Sequence, residues 1–364
     1  MTQSDLLKFR DKGYRLYVVA TGVGASIQQR IWEVPGCSSF FQGASFPYSK
    51  EETDGFLGFV PNSYCSEETA IDLALAAYRR ALSTDPNSTT KAIGLAVTGV
   101  VTSLHPHKGE HRAHVCIVTD DGIWGDTIVF PKVSFEPDSY DNWHKRSLDE
   151  TRVTNFAMLL LCHLDMGGWH NLTEKARKQL FAKPLFMNGK RFDPQLLDDV
   201  TTILFPGSFN PVHYGHRALV RQLQLTYNKE VVYSICSTPP HKFALTVQEM
   251  LRRGKLIGDN NPVLFTEGDA LFLEKAKRFP NRTFVVGADT LIRLFDPIWG
   301  PTREELARGF QEIGTSFAVF GREIDGTWLS AREAINRVYL PIGPGFQPIE
   351  GRWDVSSSEL RSGK

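Results

Sequence analysis

Two histidines, His213 and His216, stand three residues apart, between a strand-like run and a helical one. Residues 201–205 are rich in β-branched side chains and predict a strand that leads into the turn Pro206-Gly207, and residues 217–225 predict a helix. A glycine lets the backbone approach a ligand closely, and a helix N-terminus presents N–H groups that favour anions. Imidazoles placed here, as cations or as hydrogen-bond donors, would stabilise the charge that develops in phosphoryl chemistry. The alternative is a turn with two solvent-exposed histidines.

The histidine run resembles the H-x-G-H signature of the nucleotidyltransferase (cytidylyltransferase-like) superfamily. Residues 355–361, Val-Ser-Ser-Ser-Glu-Leu-Arg, resemble the superfamily's second signature, I-S-S-T-x-x-R. The resemblance covers about residues 200 to 364. It implies a Rossmann-like α/β domain with a parallel sheet, in which the second signature opens a helix that holds the ATP triphosphate.

Three further segments are similar to the pyridine-nucleotide adenylyltransferases of that superfamily. They are Asn210-Pro211, the run Pro239-Pro240-His241-Lys242, and residues 284–289, Phe-Val-Val-Gly-Ala-Asp. Lys242 could instead be an ordinary loop lysine, and Asp289 could instead cap a helix over residues 290–295. The catalytic residues that the resemblance implies are His213, His216, Lys242 and Arg361. The nucleotide-binding residues that it implies are Gly207, Ser208, Phe209, Asn210, Gly287, Asp289, Ser356 and Ser357.

The reaction implied is direct attack by a mononucleotide phosphate oxygen on the α-phosphorus of ATP, with release of pyrophosphate. No covalent enzyme intermediate is needed, so catalysis would consist mostly of positioning and charge neutralisation. The implied partners are ATP and a pyridine mononucleotide. We expect Mg²⁺ to arrive with ATP, because the sequence shows no dedicated carboxylate cage.

The N-terminal half resembles the C-terminal domain of the competence-damage protein CinA family, the nicotinamide-nucleotide amidohydrolases. The matching segments lie between residues 14 and 165 and are Val34-Pro-Gly-Cys-Ser38, Pro47-Tyr-Ser49, Cys65-Ser-Glu-Glu-Thr-Ala70 and Ala96-Val-Thr-Gly99. The resemblance implies a layered α/β domain with a candidate site made of Thr21, Tyr48, Lys50 and Arg152.

Thr21 stands where that family has its nucleophilic serine, and Thr53 stands where it has a lysine. Lys50 could reach in instead, from a different phase of the helix. Because a nucleophile needs a nearby base, we expect a nucleotide-binding or assembly module with a degenerate deamidase site. Since threonine can also act as a nucleophile, an active amidohydrolase is the alternative.

Residues 105–114 contain four of the ten histidines, at positions 105, 107, 111 and 114. Together with Glu110 they could ligate zinc, face a phosphate, or form a solvated loop. Alternation along the following strand separates His111 from His114, which favours the loop interpretation. No metal site is predicted.

Strand-like and helix-like segments alternate along the whole chain, which predicts two fused α/β domains. Periodicity weakens in a polar stretch, so we place a CinA-like domain at 1–170, a linker at 171–199 and a nucleotidyltransferase domain at 200–364. In the first domain we expect strands over 14–20, 92–101 and 115–119, and helices ending near Glu33, beginning after Ser66 and spanning 148–164.

The 364 residues carry 41 Lys+Arg and 41 Asp+Glu, so the net charge is zero and no nucleic-acid polymer is an expected partner. The chain has neither a signal-peptide-like start nor an apolar run that could cross a bilayer, which predicts a soluble cytoplasmic protein that uses no membrane. Homo-oligomers are compatible with the sequence. Our interpretation is an ATP-dependent adenylyltransferase that makes NAD or deamido-NAD, fused to a degenerate deamidase-like domain. The alternatives are a bifunctional NMN deamidase and adenylyltransferase, and a non-catalytic nucleotide-binding protein.

Overall fold

The structure is a computed structural model that describes residues 3–103, 109–131, 140–163, 168–197, 202–239, 243–296, 298, 301–324 and 326–352. The chain forms two compact units. The first consists of residues 1–183 and 189–192, and the second of residues 184–188 and 193–364. Among the described residues, no helix combines the length and the apolarity needed to cross a membrane.

The first unit contains a mixed sheet flanked by helices. Its strands are β1 (Tyr14–Thr21), β2 (Phe41–Ser45), β3 (Lys91–Val100), β4 (His111–Thr119), β5 (Gly122–Phe130) and β6 (His170–Asn171). Its helices are α1 (Gln3–Asp11), α2 (Ser26–Trp32), α3 (Lys50–Leu57), α4 (Glu67–Ala81), α5 (Tyr140–Cys162) and α6 (Thr173–Ala182). The strand order is β2-β1-β3-β4-β5-β6, with β1 parallel to both neighbours and the later pairs antiparallel.

Helix α4 lies against one face of this sheet. It begins as predicted after Ser66, whose side chain accepts a hydrogen bond from the Thr69 N–H at 3.2 Å. The helix approaches β3 so closely that a Cβ at Gly94 would lie 2.1 Å from the Tyr78 nitrogen. On the other face, the apolar residues of α2 and α5 pack on β1, β3 and β4. The sheet is therefore covered by helices on both faces.

The stretch 171–199 was predicted as a linker, and its described residues, 171–197, include regular elements. Helix α6 buries Ala176 and Leu180 in the first unit. Strand β7 (Leu185–Met187) belongs to the second unit and strand β8 (Lys190–Phe192) to the first. Arg191 of β8 is buried, and its Nη1 lies 2.6 Å from Asp72 Oδ1 on α4. Arg191, a polar residue of the predicted linker, is thus part of a buried ion pair inside the first unit.

The second unit has a mostly parallel sheet. Its further strands are β9 (Thr202–Pro206), β10 (Glu230–Cys236), β11 (Val263–Thr266), β12 (Thr283–Gly287), β13 (Ser316–Phe320), β14 (Arg322–Ile324), β15 (Thr327–Leu329) and β16 (Gly345–Ile349). Its helices are α7 (Tyr214–Tyr227), α8 (Val247–Ile257), α9 (Phe272–Arg278), α10 (Ala288–Leu294), α11 (Arg303–Glu312) and α12 (Ala331–Val338). Strands β14 and β15 form a separate antiparallel pair. The other strands of the unit follow the order β16-β13-β12-β9-β10-β11-β7, in which the described pairs are parallel except that between β7 and β11.

The order of these strands locates a crevice. Strand β9 is central, β10 and β11 follow on one side, and β12, β13 and β16 lie on the other. Strands are therefore added on one side of β9 up to β11 and on its other side from β12 onwards, so the strand order reverses between β9 and β12. In doubly wound sheets, ligands bind outside the carboxyl ends of the strands at such a switch point. The predicted Rossmann-like parallel sheet is confirmed, and the segments after β9 and β12 flank its crevice.

Candidate functional site

The segment after β9, residues 207–216, is here called the histidine turn. The Gly207 N–H donates to the Ser234 carbonyl at 3.0 Å, which ties the turn to β10. Phe209 has a positive φ of 44° and folds back under the turn, so a Cβ at Gly207 would lie 2.6 Å from its ring. Glycine is therefore required at position 207.

Phe209 is buried between Phe205 and Tyr233, with ring centroids 5.2 Å and 5.0 Å away. Its ring is part of the core, and it also meets the His216 ring edge-on at 5.0 Å. The Phe209 side chain therefore supports the turn from below, and its predicted nucleotide-binding role stays a prediction that would have to involve the backbone.

The two histidines are brought together at the start of α7. His213 is the residue that precedes the helix, and His216 lies in its first turn. Their rings stack with centroids 3.6 Å apart and planes inclined by 30°. The His213 backbone N–H donates to His216 Nδ1 at 3.2 Å. Because Nδ1 accepts this bond, the neutral ring of His216 carries its proton on Nε2 and presents a donor there.

Burial lowers the pKa of His216 from 6.5 to about 3, with further lowering from the charges of His213, Arg322 and Arg217. The sequence left open whether this histidine acts as a cation or as a hydrogen-bond donor. The structure favours the neutral donor in the ligand-free protein, since an imidazole with this pKa is uncharged at neutral pH.

The His216 ring is expected to show no titration in NMR spectra between about pH 5 and 9, with the proton on Nε2. Its folded pKa of about 3 lies below the ordinary 6.5, so the neutral ring favours folding. This contribution is complete above pH 6.5 and is lost as the pH falls towards 3, by at most about 1.4 kcal/mol per pH unit. The variant His216→Gln should lose less stability over that range. A titration midpoint near 6.5 would contradict the assignment.

Gly287 and Asp289 lie across the crevice, at the end of β12. Gly287 precedes α10, and a Cβ there would come within 2.6 Å of Asp289 Oδ1 and 2.9 Å of Arg322 Cγ. Asp289 Oδ2 is 2.7 Å from Arg293 Nη2, and Oδ1 is 3.8 Å from Arg322 Nε. Since Gly287 is the helix cap, the alternative of Asp289 as a cap for residues 290–295 is wrong. Asp289 instead orients two arginines.

Arg322 was missed by the sequence analysis. It follows β13, whose last residue pairs with Gly287, and it pairs with Asp289 while its charge lowers the pKa of His216. Its guanidinium therefore links the two sides of the crevice. The available signal was a basic residue two positions after the apolar run Phe317–Phe320, a run that the sequence analysis did not assign to a strand.

Four of the predicted site residues, Lys242, Ser356, Ser357 and Arg361, lie outside the described residues. Their roles stay predictions. Ser208 and Asn210 lie in the histidine turn, where α8 contacts both: Arg253 Nη1 donates to the Ser208 carbonyl at 3.1 Å and Arg252 Nη2 to Asn210 Oδ1 at 2.9 Å.

In the first unit, Thr21 ends β1 and Tyr48 is exposed. Arg146 contacts both Tyr48 and the residue after Thr21. Its Nη2 lies 3.4 Å from the Gly22 carbonyl and 3.3 Å from the Tyr48 hydroxyl. The predicted Arg152 instead lies 3.7 Å from Asp149. The structure therefore places Arg146 rather than Arg152 beside Tyr48, and the role predicted for Arg152 stays a prediction.

Thr53, which the sequence resemblance aligns with a lysine of the amidohydrolase family, has a structural role. The Thr53 hydroxyl is buried and donates towards the carbonyls of Pro47 at 3.0 Å and Ser49 at 2.9 Å. Lys50 Nζ lies 5.7 Å from the centroid of the Tyr64 ring. The backbone N–H groups of Gly24 and Ser26, in the segment that follows Thr21, donate to the Glu150 carboxylate at 2.7 and 2.8 Å.

The histidine-rich segment is only partly described, because His105 and His107 lie outside the described residues. His114 Nδ1 is 2.7 Å from Thr127 Oγ1 on β5, and burial lowers the pKa of His114. Within the described part of the chain, no group of three or more His, Cys, Asp or Glu side chains is arranged to hold a metal ion.

Comparison with solved structures finds CinA superfamily proteins that resemble the N-terminal part of the chain. A competence or damage-inducible protein from Enterobacter asburiae is 14% identical over 44% of this chain and 94% of its own, with a TM-score of 0.34. The competence/damage-inducible protein CihA from Agrobacterium tumefaciens is 16% identical over 43% and 92%, also with a TM-score of 0.34. A CinA superfamily protein from Escherichia coli is 14% identical over 44% and 90%, with a TM-score of 0.33.

None of the curated proteins compared with this chain matches it significantly. The cytidylyltransferase-like family profile matches residues 204–363. This range begins within β9 and includes the histidine turn, the Gly287–Asp289 segment and Arg322. The C-terminal part of the chain, over residues 204–363, is therefore a cytidylyltransferase-like domain.

Proposed function

We propose that the second unit transfers the adenylyl group of ATP to a pyridine mononucleotide, forming NAD or deamido-NAD and releasing pyrophosphate. The observation that carries this proposal is the pair of stacked histidines at the switch point of the sheet, with a neutral His216 whose Nε2–H can donate. The cytidylyltransferase-like family match supports a nucleotide as substrate. The choice of pyridine mononucleotide rests on the sequence resemblance of residues 210–211, 239–242 and 284–289.

In the proposed step, a phosphate oxygen of the mononucleotide attacks the α-phosphorus of ATP. The bond between that phosphorus and the oxygen bridging to the β-phosphate breaks, and the electron pair leaves with pyrophosphate. Negative charge grows on the leaving oxygens, where a preorganised donor such as His216 Nε2–H lowers the barrier most. His213, at the N-terminus of α7, would face the same phosphates, which the helix dipole also attracts.

Arg322 would add positive charge to this crevice. Its partner Asp289 holds the guanidinium at the carboxyl end of β12, with Gly287 leaving room for both side chains. Lys242, Ser356, Ser357 and Arg361 complete the proposed site on the strength of the sequence resemblance. Mg²⁺ would enter bound to the triphosphate, because this ion is usually held by substrate phosphates together with waters and few protein ligands.

A substrate panel tests the proposal. Purified protein with Mg²⁺ is given ATP or CTP together with nicotinamide mononucleotide, nicotinate mononucleotide or a simple phosphomonoester, and pyrophosphate release is measured. We expect release with ATP and a pyridine mononucleotide, in a ratio of one pyrophosphate to one dinucleotide. Preferential use of CTP, or of an acceptor without a pyridine ring, would overturn the assignment of substrates.

For the first unit we propose a nucleotide-binding or assembly role without hydrolysis. The buried Thr53 supports it, since its hydroxyl is hydrogen-bonded to two carbonyls and cannot replace a lysine as the base. Lys50 Nζ lies over the Tyr64 ring. Incubation with nicotinamide mononucleotide should therefore release no ammonia above the background of a Thr21→Ala variant. Ammonia release that persists in His216→Ala but disappears in Thr21→Ala would establish the alternative, a bifunctional enzyme.

A further inference from the structure

Helix α8 holds the histidine turn from the side, through two arginines that share one carboxylate. Arg253 Nη1 donates to the Ser208 carbonyl at 3.1 Å, and Arg252 Nη2 donates to Asn210 Oδ1 at 2.9 Å. Glu249 accepts from Arg252 Nε at 2.7 Å and from Arg253 Nε at 2.6 Å. Glu249, Arg252 and Arg253 are here called the α8 clamp.

The clamp fixes the orientation of two groups of the histidine turn, the Ser208 carbonyl and the Asn210 carboxamide. Each guanidinium is planar, so a carboxylate on one edge and a turn oxygen on the other leave it little rotational freedom. Arg252 also sets the Asn210 carboxamide, because its Oδ1 faces the arginine and its Nδ2 therefore lies on the opposite side. The carbonyl of Ser208 is held in the same way, which restrains the peptide plane that leads into Phe209.

A second link joins α8 to the other end of the turn. Arg217 follows His216 directly, and its Nη1 and Nη2 donate to the carbonyls of Ile257 at 3.1 Å and Leu256 at 2.9 Å. These carbonyls lie at the end of α8, where backbone carbonyls have no partner within the helix, and that of Ile257 also accepts from Asn261 Nδ2 at 3.1 Å. The same helix thus contacts the turn near its start, through the clamp, and just beyond its end, through Arg217.

Glu249 is the counter-charge of both clamp arginines. Burial acts to raise the pKa of Glu249, but hydrogen bonds from Arg252 and Arg253 outweigh it and the pKa is lowered. Glu249 is therefore ionised at neutral pH and neutralises one of the two guanidinium charges. A polyphosphate bound at the turn would attract both arginines, and the carboxylate restrains them.

We propose that the α8 clamp is a positioning device that holds the histidine turn in its reactive geometry without touching the substrate. The part of this inference that concerns turnover rests on the proposed function, whereas the part that concerns the order of the turn does not. The proposal goes beyond the two signature motifs, because Glu249, Arg252 and Arg253 belong to neither of them.

The test compares Arg252→Met with a matched control. The control is Arg278→Met. Like Arg252, Arg278 contacts both an oxygen acceptor and a carboxylate: the Glu267 carbonyl at 3.1 Å and Asp269 at 3.7 Å. The exposed fractions of the two side chains are 36% and 35%. Arg278 lies on α9 and does not belong to the clamp. Comparing the two variants therefore separates the effect of losing a surface ion pair from the effect of losing the clamp. Arg253→Met and Glu249→Gln complete the series.

In hydrogen exchange measured by mass spectrometry, the clamp variants should exchange faster than wild type in peptides covering residues 207–216, and Arg278→Met should not. With ATP and mononucleotide as substrates, kcat should fall about 10- to 100-fold in the clamp variants while KM changes less than about 2-fold, since misplacement of reacting groups acts on the chemical step. Unchanged exchange in the turn would overturn the proposal, whether or not the protein shows transferase activity. Faster exchange in the clamp variants of a protein with no transferase activity would support the clamp and reject the proposed function.

Discussion

The variant His216→Ala is expected to transfer nucleotides about 100- to 1,000-fold more slowly than wild type, the loss typical of removing one preorganised donor to a developing oxyanion. The Nδ1 atom of His216 is engaged by the His213 N–H, so Nε2–H is the group that alanine removes. The cost should appear mainly in kcat, because the donor acts where charge grows in the transition state. Steady-state pyrophosphate release measures it.

Two controls separate this chemical role from packing. His216→Gln keeps an N–H near the position of Nε2 and should retain part of the activity that alanine loses. His170→Ala removes an exposed histidine of the first unit and should leave the rate unchanged. An alanine variant that folds normally and keeps more than about a third of wild-type kcat would contradict the role given to His216.

Replacing Arg191 by methionine is expected to destabilise the first unit by about 3–5 kcal/mol, the usual cost of removing one member of a buried ion pair. Arg191 is 2% exposed and pairs with Asp72 at 2.6 Å, and its Nε donates to the Lys183 carbonyl at 3.2 Å. Methionine fills similar space and donates to neither group, so Asp72 would stay buried without a counter-charge. Urea denaturation of the whole chain, followed with a probe in the first unit, measures the loss.

The double variant Arg191→Met/Asp72→Leu should recover most of the stability that the single variant loses, because it leaves no unpaired buried charge. Burial already raises the pKa of Asp72 despite Arg191. A protonated Asp72 needs no partner, so the gap between Arg191→Met and wild type should narrow as the pH falls. A single variant as stable as wild type at pH 7 would show that the pair contributes nothing.

The elements that carry strong local signals were predictable. Ser66 followed by Glu67 and Glu68 predicted the start of α4, and the helix begins at Glu67. The apolar run before Pro206-Gly207 predicted β9 and the turn after it. Such signals are local, because the cap and the alternation lie within a few residues of what they determine.

Features that depend on tertiary partners were not predictable. Helix α5 begins at Tyr140, eight residues before the expected start at 148. The supposed linker contains Arg191, whose polar character in the sequence gave no sign that Asp72 would pair with it in the core. Arg146 contacts Tyr48 whereas Arg152 lies beside Asp149, and a loose alignment cannot distinguish two arginines that are about 1.7 helical turns apart on α5.

The candidate site also combines features that were predictable from the sequence with features that were not. The type and spacing of His213 and His216 were visible in the sequence, and the structure brings their rings into contact. The neutral state of His216 was not visible, since it follows chiefly from burial, together with the charges of its neighbours His213 and Arg217 and of Arg322 from a distant segment. Arg322 contacts Asp289, and Arg252 of the α8 clamp contacts Asn210. In both pairs the partners are more than 30 residues apart in the sequence, so motif spacing alone does not reveal the contact.

Phosphorus NMR of the complete reaction tests the central claim most directly. The wild-type protein is mixed with Mg²⁺, ATP and a pyridine mononucleotide, and the ³¹P spectrum is followed with time. Our account predicts that the signals of both substrates decay together, while a dinucleotide diphosphate and pyrophosphate appear in equal amounts, and that His216→Ala slows this conversion. Formation of ADP or inorganic phosphate with the mononucleotide unconsumed would contradict it.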